Sequence, residues 1–309
     1  MSTLDDIRAA CAVVADRATR VRIDERRLDE YAGELDLRLA VATAQVDDPS
    51  RIPFDDVEAT TAHVIALDAV NFGSGWFPVL RKRDGLSGYF TIATSWREHC
   101  ERHGPPTAEW LAGATTERCA EIFGQDGEAL ELMALFAESW RQTGELLLDR
   151  YDGSFRALVD AADRSAATLL DLLRVAPRWD DRRRYGDLDV PFHKRAQITS
   201  VDLAAAGAAA FDDLDDLTIF ADNLVPHVLR VDRVLRLDDE LADHIDRGEL
   251  LVEGSDDEVE LRATAVHAVE LLATRTGKTA ADLDNLLWNR GQGAAYKSVP
   301  RPRCRTSSY

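Results

Sequence analysis

Residues 191–230 read PFHKRAQITSVDLAAAGAAAFDDLDDLTIFADNLVPHVLR, and this stretch organises the rest of the chain. The apolar side chains of its second half recur at three- and four-residue steps, which indicates the buried face of a helix. They are Leu217, Phe220, Leu224 and Val228. A single carboxylate, that of Asp222, lies among them. Its apolar surroundings make it the first candidate for a functional side chain.

Pro226 indicates where this helical pattern is interrupted. It lacks an N–H group, so the carbonyl of Asp222, four residues earlier, would have no partner in a continuous helix. We predict that one helix ends or kinks at Asp222–Val225 and that Pro226 lies in the first turn of the next. The free N–H groups of that next helix would then lie near the Asp222 carboxylate. From the residues alone, Asp222 is more often expected to be a helix cap, and a catalytic carboxylate is the alternative interpretation.

Length and composition predict the fold class. The chain has 309 residues, 45% of them hydrophobic, which is enough for one large domain or two closely packed lobes. Helical segments rich in Leu and Ala dominate, and long alternating runs of β-branched residues are scarce. We therefore predict an all-α protein with a single large helical domain over residues 1–309. The charged segment Pro177–Pro191 reads as an irregular connector, and any boundary between two lobes would fall within 177–191.

Periodicity, caps and breakers set the predicted helix bounds. Ser255-Asp256-Asp257-Glu258 has the pattern of a capping box, and Gly277 is a stop signal. Arg81–Thr94 is predicted to hold an extended piece, and Pro49–Pro53 a short connector. The predicted helices are Thr3–Arg17, Asp24–Val41, Phe54–Val70, Thr107–Phe123, Glu128–Arg150, Ser154–Val175, Phe192–Ala210, Phe211–Val225, Pro226–Leu235, Asp238–Asp246, Asp256–Thr274 and Ala280–Arg290.

The charge balance bears on partners. A net charge of −19 repels a polyanion such as DNA or tRNA unless a local basic patch overcomes it. Basic residues cluster at 81–83, 182–184 and 301–305, but none of these clusters is interleaved with aromatic residues as in a strand-binding groove. The sequence therefore favours a small substrate over nucleic acid.

Cysteine usage and hydropathy bear on location. The four cysteines are far apart with no paired spacing, which is typical of reduced thiols. The N-terminus is acidic where a signal peptide would be basic, and no apolar run reaches the ~20 residues that span a bilayer. We expect a cytoplasmic protein with no membrane contact.

Several motifs in order resemble one known family, that of queuosine salvage. They are ALDAVNFGSGWFP at 66–78, SGYFTIA at 87–93, YDGSF at 151–155, FHKRAQ at 192–197, the segment around Asp222, and GSDDEVELRATAVHAVELL at 254–272. Family members are queuosine 5′-phosphate N-glycosylases, which release the 7-deazaguanine base queuine. The resemblance covers residues 66–309 and implies a fold similar to that of helical DNA glycosylases.

The resemblance implies roles for individual residues. Asp222 matches the family's nucleophile or transition-state stabiliser, and Phe220 matches an aromatic that stacks on or beside the base. Asp284 fits the acceptor that a guanine-like edge needs for its N1–H and N2–H donors. The family commonly has tyrosine where this chain has Asn285 and aspartate where it has Asn289, which leaves open the substituent on the base.

Binding of the 5′-phosphate requires positively charged side chains. Lys194 and Arg195 are candidates because a charged pair on an apolar helix is costly unless it has partners. A salt bridge to the acidic run Asp212–Asp216 is the alternative, and Arg230 is a third candidate. Asp202, on the same predicted helix as Lys194, is expected to have a structural role.

Histidines give weaker signals. The family has a base-contacting histidine in its N-terminal region, and His63 is the nearest one here, but its spacing before Asp68 leaves that role unassigned. His99 and His103 have the i, i+4 spacing of a zinc pair without the adjacent glutamate of a metalloprotease. We predict no metal site and no organic cofactor.

The predicted reaction is hydrolysis of queuosine 5′-phosphate to queuine and ribose 5-phosphate. One alternative is a glycosylase acting on a base in DNA or RNA, which the charge argues against. Another is a deazapurine-binding protein without turnover, which the presence of Asp222 argues against.

Overall fold

Helices dominate the protein, as predicted. The computed structural model describes residues 2–41, 52 and 54–309, so the predicted connector Pro49–Pro53 lies outside them except for Ile52. The helices are α1 Thr3–Arg17, α2 Glu25–Glu34, α3 Val57–Asp68, α4 Gly88–His103, α5 Ala108–Ala112, α6 Thr116–Phe123, α7 Leu130–Tyr151, α8 Phe155–Asp160, α9 Ala166–Leu173, α10 Lys194–Ala205, α11 Leu224–Val231, α12 Asp239–Asp246, α13 Asp256–Thr276, α14 Ala280–Arg290 and α15 Ala294–Lys297.

Among the described residues, six short strands qualify the all-α prediction. They form two-stranded sheets, of which β1 Val21–Ile23 with β4 Leu235–Leu237 and β2 Arg182–Tyr185 with β3 Leu188–Pro191 are antiparallel. The third, β5 Leu250–Leu251 with β6 Arg303–Cys304, is parallel. The hairpin β2–β3 occupies the segment predicted to be an irregular connector, and it turns at Gly186, whose φ is 57°.

Capping signals predicted helix ends well. Ser2 Oγ accepts a hydrogen bond from Asp5 N, and the Asp5 carboxylate accepts one from Ser2 N, so a capping box opens α1. Ser255 accepts from the backbone of Glu258 at the start of α13, and Gly277 ends that helix in the left-handed conformation. Both ends of α13 therefore follow from local sequence.

Some predicted segments were wrong. Two predicted helices are each divided, Thr107–Phe123 into α5 and α6 and Ser154–Val175 into α8 and α9. Arg81–Thr94 was expected to hold an extended piece, but α4 begins at Gly88 because Ser87 caps it and accepts from Phe90 N at 3.3 Å. Phe211–Val225 was expected to be helical, but it is irregular up to α11 apart from a 3₁₀ turn at Leu214–Asp216. In that segment, side chains from other helices take over the hydrogen bonds that a helix would make internally.

Helix α13 lies in the middle of the fold and positions the others. It packs against α1, α2, α11 and α14, while α10 packs against α3 and α9. The buried apolar side chains form one continuous cluster, which includes Trp179 and Val190 from the 177–191 segment. No helix within the described residues combines the length and apolarity that a membrane crossing requires.

Candidate active site

A cavity of about 470 Å³ lies between the C-terminal end of α3, the start of α4, α10, α14 and the segment that precedes α11. Six of the residues predicted from sequence line it together. They are Lys194, Phe220, Asp222, Asp284, Asn285 and Asn289. These residues are up to 95 positions apart in the chain, so the fold brings together side chains that the sequence separates.

Asp222 lies at the N-terminal end of α11, where the sequence predicted it. Its Oδ1 accepts hydrogen bonds from Leu224 N at 2.7 Å and Val225 N at 3.1 Å. Pro226 is the third residue of α11, within the first turn. The N–H groups of a helix start therefore orient this carboxylate. Its Oδ2 makes no hydrogen bond to any of the described residues.

Side chains from three helices hold the irregular segment before Asp222. Gln197 of α10 accepts from Thr218 N at 3.0 Å, and Asp284 of α14 accepts from Phe220 N at 2.9 Å. Arg262 of α13 donates from Nε to the carbonyl of Ala221 at 2.9 Å. Buried backbone groups need such partners. These contacts therefore explain how residues 217–223 stay ordered without being helical.

Asp284 is only 4% exposed. Burial and the neighbouring Asp222 raise the pKa of Asp284 well above its usual range, while the N–H of Phe220 and the charge of Lys194 act against that shift. A carboxyl beside a second carboxylate in an apolar setting tends to keep its proton. Asp284 therefore retains its proton to higher pH than an ordinary aspartate.

Lys194 lies at the start of α10 and is 6% exposed. Its Nζ donates to the backbone oxygen of Asn71 at 3.0 Å and to Asn71 Oδ1 at 3.1 Å. Burial lowers the pKa of Lys194, and the nearby carboxylates of Asp222 and Asp68 oppose that shift. Lys194 thus places positive charge beside the Asp222 carboxylate.

The carboxylate of Asp68 acts on this lysine, and Asp202 acts on Asp68 in turn. Asp68 is 1% exposed, and burial together with Asp202 raises the pKa of Asp68 well above its usual range. Asp202, expected to be structural, lines the cavity. Asn71, which links Lys194 to Asp68, was missed as a site residue, although it lies within the ALDAVNFGSGWFP motif.

Arg195 and Arg230 do not line the cavity. The guanidinium of Arg195 donates to the backbone carbonyls of Ala69 and Arg178 and lies over the rings of Phe72 and Trp179. That of Arg230 pairs with Asp246 at 2.7 Å on the far side of α11. Neither pairs with the acidic run Asp212–Asp216. The residues of α10 and α11 that do face the cavity include Lys194 and Leu224.

Cationic side chains other than Arg195 and Arg230 line the cavity. Arg301 and Lys297 line it, and the Arg301 guanidinium has no hydrogen bond or ion pair within the part of the chain that the structure describes. Burial lowers the pKa of Arg301, and the carboxylate of Asp222 opposes that shift. The sequence shows the basic run at 301–305, and we considered it as a site for nucleic acid. The sequence does not show that the fold places Arg301 at a pocket.

Aromatic and amide side chains form the remaining wall. Trp288 contacts Tyr89 and Phe90 edge-on, with ring centroids 6.2 and 6.1 Å apart, and all three line the cavity with Phe220. Asn289 Nδ2 donates to Asn285 Oδ1 at 2.9 Å, so the two amides act as a unit. A flat aromatic base fits between such surfaces.

The histidines lie elsewhere. His63 stacks on Trp96 at 6.1 Å between centroids and does not line the cavity. The rings of His99 and His103 are 4.7 Å apart. No group of three or more His, Cys, Asp and Glu side chains suited to a metal ion occurs among the described residues.

Comparison with known proteins agrees with the resemblance noted in the sequence. A family model described as queuosine salvage protein matches residues 52–309. A protein from Sphaerobacter thermophilus, named queuosine 5′-phosphate N-glycosylase/hydrolase, is 37% identical over 269 residues, covering 82% of this chain and 83% of that protein. Proteins of the same name from Mus musculus and Dictyostelium discoideum are 29% and 32% identical, covering 71% and 65% of this chain and 68% and 65% of their own lengths.

Proposed function

The chain belongs to the queuosine salvage protein family, and from that premise we propose that its cavity binds queuosine 5′-phosphate. The protein is a hydrolase that cleaves the N-glycosidic bond of this nucleotide and releases queuine for reuse in tRNA modification. Water is the second reactant, and the products are queuine and ribose 5-phosphate. The cavity of about 470 Å³ lies within the size range of small-molecule sites.

Asp222 is the catalytic carboxylate in this proposal. Cleavage of an N-glycosidic bond passes through a transition state in which the sugar resembles an oxocarbenium ion. A fixed carboxylate beside C1′ stabilises that charge or attacks it. Two backbone N–H groups hold Oδ1 of Asp222, and Oδ2 is left for the sugar. This half-engaged carboxylate on the cavity wall is the observation that carries the proposal.

The base is proposed to bind against the aromatic wall. Phe220 and Trp288 supply flat apolar surface, and Asp284 offers an oxygen to the polar edge of the 7-deazaguanine ring. Asn285 and Asn289 lie one helical turn apart on α14 and would contact the substituent at the edge of the ring. Their amides both donate and accept hydrogen bonds, which suits a hydroxylated substituent.

The 5′-phosphate is proposed to bind Arg301 and Lys297. A guanidinium has a fork geometry that matches phosphate, and a half-buried one without a protein partner gains most from a ligand. Lys194 remains a phosphate candidate as well, because Asn71 uses only part of its hydrogen-bonding capacity. Arg195 and Arg230 are left out of the proposal because their guanidinium groups have other partners.

We further propose that residues 1–309 form a single helical N-glycosylase domain of the type found in helical DNA glycosylases. The continuous buried cluster across the 177–191 segment supports one domain. The net charge of −19 supports a small nucleotide rather than a nucleic acid as substrate. Four free, buried cysteines support a reducing compartment such as the cytoplasm. A mobility-shift titration with tRNA at low salt would test whether the protein binds nucleic acid.

The experiment for the reaction is incubation of the purified protein with queuosine 5′-phosphate, with queuine measured by mass spectrometry. The wild type should release queuine, and Asp222→Asn should be roughly 10³-fold slower. Removing a unit charge ~4 Å from the reacting carbon at an effective dielectric near 20 costs ~4 kcal/mol. Asparagine keeps an oxygen for the two N–H groups, so the variant tests charge rather than folding.

Asp215→Asn is the matched control, because this exposed carboxylate on the same segment loses the same charge. It should release queuine at the wild-type rate. Full activity in Asp222→Asn would remove Asp222 from the mechanism. Tight binding of queuine without release from the nucleotide by the wild type would instead favour a deazapurine-binding protein.

A further inference from the structure

The two carboxyl oxygens of Asp284 have different surroundings. Its carboxyl is nearly buried, lines the cavity, and uses one oxygen to accept from Phe220 N at 2.9 Å. Its other oxygen makes no hydrogen bond within the part of the chain that the structure describes. One carboxyl oxygen is thus fixed by the protein, and the other is available to a bound ligand.

The position of Asp284 relative to Asp222 limits which part of the substrate it can reach. Phe220, to which Asp284 is hydrogen-bonded, precedes Asp222 by two residues. Asp222 acts at C1′, so a carboxyl held beside the same short segment lies near the glycosidic bond. The base atoms at that end are N9 and N3, both of which are bonded to C4.

The chemistry of the base creates a need for a proton there. When the C1′–N9 bond breaks, its electron pair stays on the base, which becomes an anion unless it is protonated. A 7-deazaguanine has carbon in place of N7, so the usual protonation site of a departing purine is absent. A proton must reach N3 or N9 from the enzyme.

We propose that Asp284 is the general acid of the reaction, donating its proton to N3 or N9 of the base as the C1′–N9 bond breaks. This inference rests on the proposed function. The resulting Asp284 carboxylate regains a proton that is released when water adds to C1′, so the cycle consumes one water and no other reactant. General acid catalysis of this kind typically contributes 10²–10⁴-fold.

The charges around Asp284 suit this role. Asp222 from the segment before α11 and Lys194 from α10 are the charged side chains that act on it. Burial and Asp222 together favour its protonated form more than Lys194 and the Phe220 N–H oppose it, so the pKa of Asp284 is raised. Activity that needs the protonated carboxyl is full below that pKa and falls as the pH rises through it.

The test is the pH dependence of kcat and KM for queuosine 5′-phosphate between pH 5 and 10, with full-length wild type, Asp284→Asn and Asp284→Glu. For the wild type, kcat should fall tenfold per pH unit on the alkaline side. Asp284→Asn should lower kcat by ~10²–10⁴-fold with a similar KM, and the alkaline decline should disappear. Asp284→Glu, which keeps an acid, should restore part of kcat and the decline.

Asparagine can still accept from Phe220 N, so an unchanged melting temperature is the check on folding. A change in KM alone in Asp284→Asn would mean that the residue only recognises the base. An alkaline decline that persists in Asp284→Asn would belong to another group, such as Lys194. Either result overturns the proposal.

A wild-type kcat that stays flat up to pH 10 overturns it without any variant. If the wild type releases no queuine at any pH, the proposed function itself fails, which is a different outcome.

Discussion

Arg262→Met should destabilise the protein more than any change on its surface. Arg262 of α13 is 1% exposed and forms two hydrogen bonds with the buried Asp181, at 3.1 and 2.6 Å. Its guanidinium lies 3.9 Å from the ring centroid of Phe192 and 4.5 Å from that of Tyr309. It also donates to the carbonyl of Ala221, next to Asp222. Methionine fills similar space but makes none of these polar contacts.

The size of the effect follows from Asp181. Burial by itself would raise the pKa of Asp181, but the charge and hydrogen bonds of Arg262 outweigh burial and lower that pKa to about 2. A drop of roughly two units from the usual value corresponds to ~2–3 kcal/mol. Removing one partner of a buried ion pair typically costs ~3–5 kcal/mol. We therefore expect the free energy of unfolding to fall by ~3–5 kcal/mol.

Urea unfolding at several pH values would measure this. A carboxylate with a lowered pKa contributes stability above its unfolded pKa and loses it as the pH falls toward the folded value. The difference between wild type and Arg262→Met should therefore be full near pH 7 and shrink between about pH 5 and pH 2. The double variant Asp181→Asn/Arg262→Met, which removes both charges of this pair, should recover part of the loss. A loss below ~1 kcal/mol in the single variant would refute the reasoning.

Two further predictions concern the cavity and the packing beside it. Arg301→Gln should lower kcat/KM for queuosine 5′-phosphate by roughly 10–100-fold but leave kcat/KM for the nucleoside queuosine unchanged. The control variant Arg303→Gln, outside the cavity, should change kcat/KM for neither substrate. Equal losses on both substrates in Arg301→Gln would remove Arg301 from the phosphate site. Gly291→Ala should lower the free energy of unfolding by ~1–3 kcal/mol, because its Cβ would lie 2.7 Å from Leu224 Cδ1. Gly33→Ala, which meets nothing within 4 Å in α2, should be neutral or stabilising, and a similar loss in both would contradict the packing argument.

Helix ends were predictable where the signal is local. Ser255 and Gly277 bound α13 because a serine hydroxyl caps the helix start and a glycine accepts the left-handed conformation at its end. The Asp222–Pro226 pattern also depends only on residues that are close together in the sequence. It placed the carboxylate against the first N–H groups of α11, and the structure confirms that arrangement.

The segment before Asp222 could not be predicted in this way. Leu217 and Phe220 have helical spacing and are buried, yet their backbone groups lie in an irregular segment. The partners that make this stable are side chains 21 to 64 residues away in sequence, those of Gln197, Arg262 and Asp284. A pattern within one segment carries no information about such partners, so periodicity predicted a helix.

The proposed phosphate-binding side chains could not be predicted from local sequence either. Arg195 was predicted to bind phosphate because a charge on an apolar helix needs a partner, and that premise was sound. Its partners are backbone carbonyls and two aromatic rings rather than a ligand. Arg301, which has no hydrogen bond or ion pair to the described residues, lies more than 70 residues beyond Asp222 and reaches the cavity only through the fold of the C-terminal segment.

The irregular segment also explains how two carboxylates can be kept close together. The hydrogen bond between Phe220 N and Asp284 ties the segment that carries Asp222 to α14, which carries Asp284. The proposed charge stabiliser and the proposed proton donor are thus fixed relative to each other by one short connection. A continuous helix over 211–225 would use the Phe220 N–H internally and would leave Asp284 without this contact. The departure from regular structure is therefore what allows α14 to hold the segment that carries Asp222.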